Sequence, residues 1–101
     1  MMNEIAVTVW EDGSGGFGVR IPVAAKRQFS EHWTKVHVEV DGELCTYPLR
    51  ETFWTTCPEL RGRAIGRWIK KHGLTDWPKG KPPKLRLIPL GGNRFRLAKP
   101  A

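Results

Sequence analysis

Residues 50–56 combine the side chains that proteins use to contact nucleic acids. The segment reads Arg50-Glu51-Thr52-Phe53-Trp54-Thr55-Thr56, with one cation, one anion, three hydroxyls and two aromatic rings. Arginine can read guanine, threonine can bind a phosphate or contact a thymine methyl group, and tryptophan can stack on bases or pack on sugars. The same residues could instead form a β-strand. We expect one of the two rings to lie in the core and leave the other available for contact.

A second polar segment follows the first predicted strand and reads Glu11-Asp12-Gly13-Ser14-Gly15-Gly16. Its glycine content predicts a loop. It lacks the Gly-Lys-Ser/Thr sequence of a phosphate-binding P-loop, and its two acidic residues would repel phosphate. The loop is either an ordinary connection between strands or an arm that enters a DNA groove. In the second case Asp12 could accept a hydrogen bond from a cytosine amino group, and Ser14 is a further candidate contact.

The two halves of the chain differ strongly in charge. Residues 1–49 hold four Lys/Arg and seven Asp/Glu, a net charge of −3, whereas residues 50–101 hold thirteen and three, a net charge of +10. A basic half of this kind is typical of a protein that binds a polyanion. The alternative is a basic surface that only keeps the protein soluble. We favour double-stranded DNA as the partner.

The sequence contains no pattern typical of a catalytic or metal site. None of its three histidines or two cysteines has the H-x-x-x-H or C-x-x-C spacing of a zinc site. Cys45 and Cys57 lack a nearby base, and we expect them to be reduced thiols. Asp41 and Glu43 flank a hairpin turn and are not followed by the lysine that a metal-dependent nuclease would need. We therefore predict a binding module, not an enzyme, with no metal and no cofactor.

The chain is predicted to form a single domain over residues 1–101. Its length suits one domain, and no apolar run approaches the roughly 18 residues of a membrane span. The first residues lack the basic and apolar regions of a secretory signal. We expect a cytoplasmic protein, bacterial and nucleoid-associated, with no membrane partner. A separate catalytic or regulatory protein subunit is a further partner that the sequence leaves open.

Strand signals run through most of the chain. Asp41-Gly42 and Gly91-Gly92-Asn93 are typical hairpin turns between such strands. Pro48 predicts an edge strand or an irregularity near the end of its strand. The predicted strands cover residues 4–10, 18–21, 35–41, 43–49, 85–90 and 94–97.

A short helix is predicted directly after the second strand. Pro22 lacks an N–H group and has a fixed φ angle, so it ends the strand and suits the first turn of a helix. Val23 and Ala24 would lie on one face of this helix, near the face of a buried Phe29. Such a unit must pack against a sheet to bury both of its faces.

A longer helix is predicted between Thr56 and His72. Thr56 and Glu59 have the spacing of a capping box, and Gly73 would supply the left-handed stop. Two internal glycines weaken the helix, so its regular part could begin as late as Arg61. The basic face of this helix is either a solvated surface or a phosphate contact; it holds Arg63, Arg67, Lys70 and Lys71.

These elements predict a mainly β fold with a minor α component. Hairpin connections favour antiparallel pairing, and a small chain with many strands tends to close on itself. We predict a small antiparallel open barrel, a pseudobarrel, of six or seven strands with two short helices. Residues 74–84 form a surface loop in which Trp77 packs on the core, while Lys79 and Lys81 are exposed and could contact phosphate.

The order of motifs resembles a known family of DNA-binding domains. The matching segments are Ile21-Pro22 with the helix ending at Phe29, the valine strand before Asp41-Gly42, Tyr47-Pro48-Leu49-Arg50, the helix with Ile65, Trp68 and Ile69, Gly73-Leu74, and Phe95-Arg96-Leu97. Together they resemble the pseudobarrel of the plant B-three type, found in auxin-response and abscisic-acid-responsive transcription factors. They also resemble the recognition domains of bacterial restriction endonucleases.

The resemblance implies a duplex DNA-binding domain, either a regulator or a detached recognition module, that clamps the major groove with two arms. It places the arms at Glu11 to Arg20 and at Arg50 to Thr56. Arg20, Arg50 and a carboxylate would then reach base edges. The phosphates would be held by Arg61, Arg63, Lys79 and Lys81.

Two other functions are compatible with the sequence. A small barrel could bind single-stranded nucleic acid or RNA, with Trp10, Trp33 or Trp54 stacking on bases. A basic protein-interaction subunit could instead use its charge to bind an acidic protein.

Overall fold

A computed structural model describes residues 3–55 and 58–100 of the chain. It is mainly β, with one seven-stranded sheet that is nearly closed into a barrel and has a single seam, which confirms the predicted fold class. The sheet order is β4-β3-β7-β6-β1-β2-β5, and every pair is antiparallel except β3 with β7. The strands are β1 (Ile5–Glu11), β2 (Phe17–Arg20), β3 (Lys35–Val40), β4 (Glu43–Pro48), β5 (Glu59–Arg61), β6 (Lys84–Gly91) and β7 (Arg94–Ala98).

Three short helices connect the strands. A 3₁₀ helix covers Val23–Gln28, α1 covers Glu51–Thr55 and α2 covers Arg63–Lys71. The predicted stop of α2 is confirmed, because Gly73 has a φ angle of 68° and donates its N–H to the carbonyl of Lys70. Over residues 3–55 and 58–100, no helix is both long enough and apolar enough to cross a membrane.

The core lies inside the sheet and is closed at both ends. Alternate residues of the strands point inward, as the period of two predicts, and α2 covers one end with Ile65, Trp68 and Ile69. Aromatic rings fill the other end, where Phe29 stacks on Phe95 with ring centroids 5.2 Å apart. The ring of Phe53, on α1, lies 5.3 Å from Phe29. The predicted burial of Phe29 is therefore confirmed, and of the pair Phe53 and Trp54 it is Phe53 that is buried.

The seam of the barrel lies between β4 and β5, the two edge strands. Pro48 ends β4, which confirms the predicted edge position. Tyr47 of β4 is buried and lies against Gly62, which follows β5: a Cβ atom at Gly62 would be only 2.8 Å from Cε1 of the Tyr47 ring. The close approach of these two residues holds the edges together.

The predicted helix beginning at Thr56 is wrong in its first part. Glu59, assigned to a capping box, lies instead in β5, where it pairs with Arg20 of β2. Leu60 is buried between the strands, and α2 begins only after Gly62. Pairing of β5 with β2 buries Leu60, which the predicted helix would have placed in its first turn. Thr56, the predicted N-cap and a predicted DNA contact, lies outside the described residues.

Two further local predictions need correction. The segment from Arg50 to Thr56 is predicted to be a DNA-contacting arm or, alternatively, a β-strand, but residues 51–55 form the helix α1. Val23 was expected on the buried face of the short helix, yet it is 75% exposed. The 3₁₀ helix buries none of its own residues, and only Phe29, which follows it, enters the core.

Gly18 of β2 allows β5 to approach closely, which makes a test of the pairing possible. A Cβ atom there would lie 2.6 Å from the carbonyl oxygen of Leu60 and 2.8 Å from Cβ of Arg61. We expect Gly18→Ala to lower the free energy of unfolding by about 1–3 kcal/mol, because backbone must move to make room. Urea denaturation measures this change.

Gly66→Ala is the matched control, because the nearest atom to its new Cβ is 3.6 Å away. Gly66 lies within α2, so alanine should raise the free energy of unfolding by up to about 1 kcal/mol. Equal stability of Gly18→Ala and the wild type would contradict the close packing of β2 on β5.

Candidate nucleic-acid interface

The outer face of β1, β2 and β5 brings together one aromatic and three charged side chains. The register places Trp10 opposite Gly18 and Gly18 opposite Arg61, so that the glycine separates the two larger residues. In the neighbouring row Arg20 lies opposite Glu59. The guanidinium carbons of Arg20 and Arg61 lie 5.8 and 5.7 Å from the centre of the Trp10 ring. Both are within the range of a cation–π interaction.

Arg20 is held to Glu59 by two hydrogen bonds. Its Nε and Nη2 atoms both donate to Oε2 of Glu59, at 3.0 and 2.5 Å. The side chain of Arg20 is 51% exposed, whereas that of Glu59 is 10% exposed. The carboxylate is therefore sunk into the surface while the arginine head reaches solvent.

Asp12 organises the loop between β1 and β2. Its Oδ1 atom accepts hydrogen bonds from the Ser14 N–H at 2.8 Å, the Ser14 hydroxyl at 2.7 Å and the Gly16 N–H at 3.1 Å. Its Oδ2 atom lies 3.4 Å from Nη1 of Arg61. The bonds from Ser14 are the main cause of a lowered pKa for the Asp12 carboxyl. Asp12 and Ser14, both predicted DNA contacts, thus have hydrogen-bond partners within the protein.

A cleft of about 550 Å³ opens along the seam, and we call it the seam cleft. It joins the outer face of β1 and β5 to the chain around α1. Its charged and hydroxyl-bearing lining consists of Arg50, Thr52, Glu59 and Arg61, with the rings of Trp10 and Tyr47. Burial strongly raises the pKa of Tyr47, so its phenol stays neutral.

A second cleft of about 540 Å³ lies between the β1–β2 loop and α2, and we call it the helix cleft. Its basic lining comes from Arg61, Arg63, Arg67 and Lys70, and Asp12 supplies one carboxylate. Residues 63, 67 and 70 share one face of α2 because they are four and three positions apart. Arg61 lines both clefts, so they form one continuous surface.

Comparison of the chain with protein-family models, curated proteins and solved structures gave no match. The candidate interface therefore depends on the geometry of this chain alone.

The structure brings some of the predicted contact residues together and separates others. Arg50, Thr52 and Arg61 share the seam cleft, with Arg20 on the adjoining sheet face, and Arg63 lies in the helix cleft. Trp54 faces a different cleft beside Val23, and its backbone carbonyl accepts a hydrogen bond from Lys26 Nζ. The Thr55 hydroxyl donates to the carbonyl of Glu51. Lys79 and Lys81 lie on the exposed loop after α2 and line neither cleft.

The two predicted arms lie at opposite ends of the barrel. The loop of residues 12–16 joins the end of β1 to the start of β2, on the same side as α2. The chain around α1 leads into the start of β5, which pairs with the end of β2 at Arg20. Only the Arg20 end of the first predicted arm therefore approaches the second.

Two further parts of this surface were missing from the predicted contacts. The sequence does not indicate the place of Glu59 on this surface, because its spacing from Thr56 is that of a helix cap and nothing local indicates its pairing with Arg20. Arg67 and Lys70 were recognised as a basic face but not selected as contacts, although their helical spacing from Arg63 was a usable signal. Among the described residues, no three His, Cys, Asp or Glu side chains cluster closely enough to hold a metal ion.

The lowered pKa of Asp12 leads to a prediction about the β1–β2 loop. A lowered pKa means that the folded loop favours the ionised carboxylate, so its stabilisation is complete above the ordinary value of 3.8 and is lost as the pH falls through the lowered pKa. NMR signals of the Ser14 and Gly16 amides should therefore shift with a common midpoint below 3.8.

Asp12→Asn is the control, since the amide keeps an oxygen acceptor but cannot titrate. Its Ser14 and Gly16 signals should show no transition in this pH range. A midpoint at or above 3.8 in the wild type would mean that these hydrogen bonds do not favour the ionised form.

Proposed function

We propose that this chain is a double-stranded DNA-binding domain whose interface is the surface formed by the seam cleft and the helix cleft. The observation that carries the proposal is the continuity of these clefts through Arg61. Together they are lined by five cations and two carboxylates, and the cations are Arg50, Arg61, Arg63, Arg67 and Lys70. Lysine and arginine that contact phosphates release counterions from DNA, so a surface rich in these cations favours DNA binding.

The start of α2 adds to the positive field of the helix cleft. The N-cap residue Gly62 makes no side-chain cap, and the first turn has no acidic residue. The partial positive charge of the helix start is therefore not offset by a carboxylate in that turn. Arg63, in the same turn, raises the charge further, at a cost to helix stability that phosphate binding would offset.

The outer face of β1, β2 and β5 adds two arginines and an aromatic ring beside the seam cleft. Arg20 and Arg61 lie over the Trp10 ring, so contact of this face with the major groove would bring arginine to base edges. The resemblance to plant pseudobarrels and restriction recognition domains suggests a regulator or a detached recognition module, but its clamp of two arms is not part of this proposal, because the two segments lie at opposite ends of the barrel.

Single-stranded binding is less well supported, because the three candidate tryptophans have other partners. Trp33 makes edge contacts with Phe29 and Phe95, and Trp54 makes one with Phe53. The guanidinium carbons of Arg20 and Arg61 lie over the Trp10 ring, at 5.8 and 5.7 Å from its centre. Stacking of bases requires an accessible ring face. This alternative and the acidic protein partner are therefore outcomes of the test and not parallel proposals.

Fluorescence anisotropy with a random duplex of about 20 base pairs and the corresponding single strand tests the proposal. Duplex affinity should fall linearly with the logarithm of salt concentration, with a slope of about −0.9 for each phosphate contact. Preference for the single strand would favour the stacking mode. Failure of both nucleic acids to bind at low salt would refute the proposal and favour a protein partner.

Arg61→Gln should reduce the magnitude of this slope by about 0.9, because one phosphate contact is lost. Arg94→Gln is the matched control, since it removes the same charge from an exposed position of β7, three strands from β2 in the sheet. Equal slopes for the two variants would show that only net charge matters, and this would contradict an interface at the clefts. Thermal melting checks that both variants fold.

A further inference from the structure

Arg20, on the sheet face beside the seam cleft, is fixed on two sides, and its ion pair is closer than that of Arg61, at 2.5 Å against 3.4 Å. Trp10 lies against its guanidinium, and Glu59 binds one edge of it through two hydrogen bonds. Arg20 and Glu59 are paired residues of β2 and β5, so the scaffold is two hydrogen-bonded strands and not a loop. The position of the arginine head is therefore set before any ligand binds.

The hydrogen bonds to Glu59 leave a defined part of the guanidinium free. Arginine has five N–H donors, and Glu59 takes the Nε donor and one Nη2 donor. Both Nη1 donors and the second Nη2 donor remain. One free Nη1 donor and the free Nη2 donor are parallel, which is the arrangement that binds two adjacent acceptors. About half of the Arg20 side chain is exposed.

We propose that Arg20 reads a guanine in the major groove and that Glu59 and Trp10 are the residues that position it. Guanine presents O6 and N7 as adjacent acceptors, and a bidentate arginine is its commonest specific partner. The inference rests on the proposed DNA-binding function and names the base that this part of the surface recognises.

Arg61 and Arg50 are held less firmly. Arg61 also lies against Trp10, at 5.7 Å from the ring centre, but its ion pair with Asp12 is a single contact of 3.4 Å and its side chain is 63% exposed. Arg50 is exposed, and within the described part of the chain no hydrogen bond or ion pair of its side chain is found. Side chains held this loosely suit phosphates, which accept from many directions. Arg20 is thus the arginine that recognises a base, whereas the sequence predicts that Arg50 also contacts base edges.

The first step of the test selects duplexes from a random library with the wild-type protein. Each guanine of the selected site is then replaced in turn by 7-deazaguanine, which keeps Watson–Crick pairing but lacks the N7 acceptor. Replacement at one position should lower wild-type affinity roughly 10-fold or more, the discrimination expected of a bidentate contact. Arg20→Lys should lose the discrimination, and its affinity for the selected site should fall more than its affinity for random duplex, because lysine keeps the charge without the fork.

Glu59→Gln separates positioning from charge. It removes a negative charge near the phosphates, so affinity for random duplex should rise, while discrimination against 7-deazaguanine should fall several-fold. Asp12→Asn removes an equal charge beside Arg61 and keeps the loop acceptor. It should raise random-duplex affinity in the same way and lower the discrimination less than Glu59→Gln does.

The outcomes separate this inference from the proposed function. If duplex binds but no guanine replacement matters, or if Arg50→Gln abolishes the discrimination and Arg20→Lys does not, the inference is overturned while DNA binding stands. Equal discrimination by Glu59→Gln and the wild type would remove the positioning role. Absence of any duplex binding at low salt would overturn both. Thermal melting of each variant excludes a loss of fold.

Discussion

Closure of the barrel at its seam is the constraint on which the rest of the structure depends. β4 and β5 are consecutive in the chain yet lie at the two ends of the sheet order, so each has an edge without a strand neighbour. Tyr47 packs against Gly62 across this gap, and there is no room for a side chain at the glycine. The chain between the two strands is anchored by Phe53 on Phe29. The packing of the Tyr47 ring on Gly62 therefore joins these two edges, whereas backbone hydrogen bonds join the neighbouring strands elsewhere in the sheet.

The same closure creates the candidate site. Contact of Phe53 with Phe29 holds the connection around α1 at one end of the barrel. Arg50 and Thr52 of this connection therefore line one side of the seam cleft, and Glu59 and Arg61 of β5 line the other. Pairing of β5 with β2 then carries Arg61 towards Trp10 and Glu59 towards Arg20. The core packing and the surface charges are thus linked: a shift of β5 would alter the seam, the cation–π contacts and the ion pair together.

Local signals in the sequence predicted most of the fold but not the parts that depend on distant pairing. Asp41-Gly42 has positive φ angles of 51° and 80°, as a tight hairpin requires. The identities of these two residues are enough to predict the turn. β5 is only three residues long, too short to show a period, and Leu60 fits either a strand or a helix. The parallel pairing of β3 with β7 has no local signal either. For the site, the cations were visible in the sequence, whereas the partners of Arg20 and Arg61 are fixed by strand register and loop geometry.

The two carboxylates of the basic surface explain why its cations need not have equal roles. A phosphate that approached Arg20 would also approach Glu59, whose Oε2 atom is 2.5 Å from the arginine, and like charges at such range repel. A guanine edge is neutral and has only acceptors where the free donors point, so the carboxylate imposes no comparable penalty on it. Over residues 3–55 and 58–100, no ion pair engages Arg63, Arg67 or Lys70. In the proposed interface the same electrostatics therefore direct phosphates towards α2 and leave Arg20 for a base.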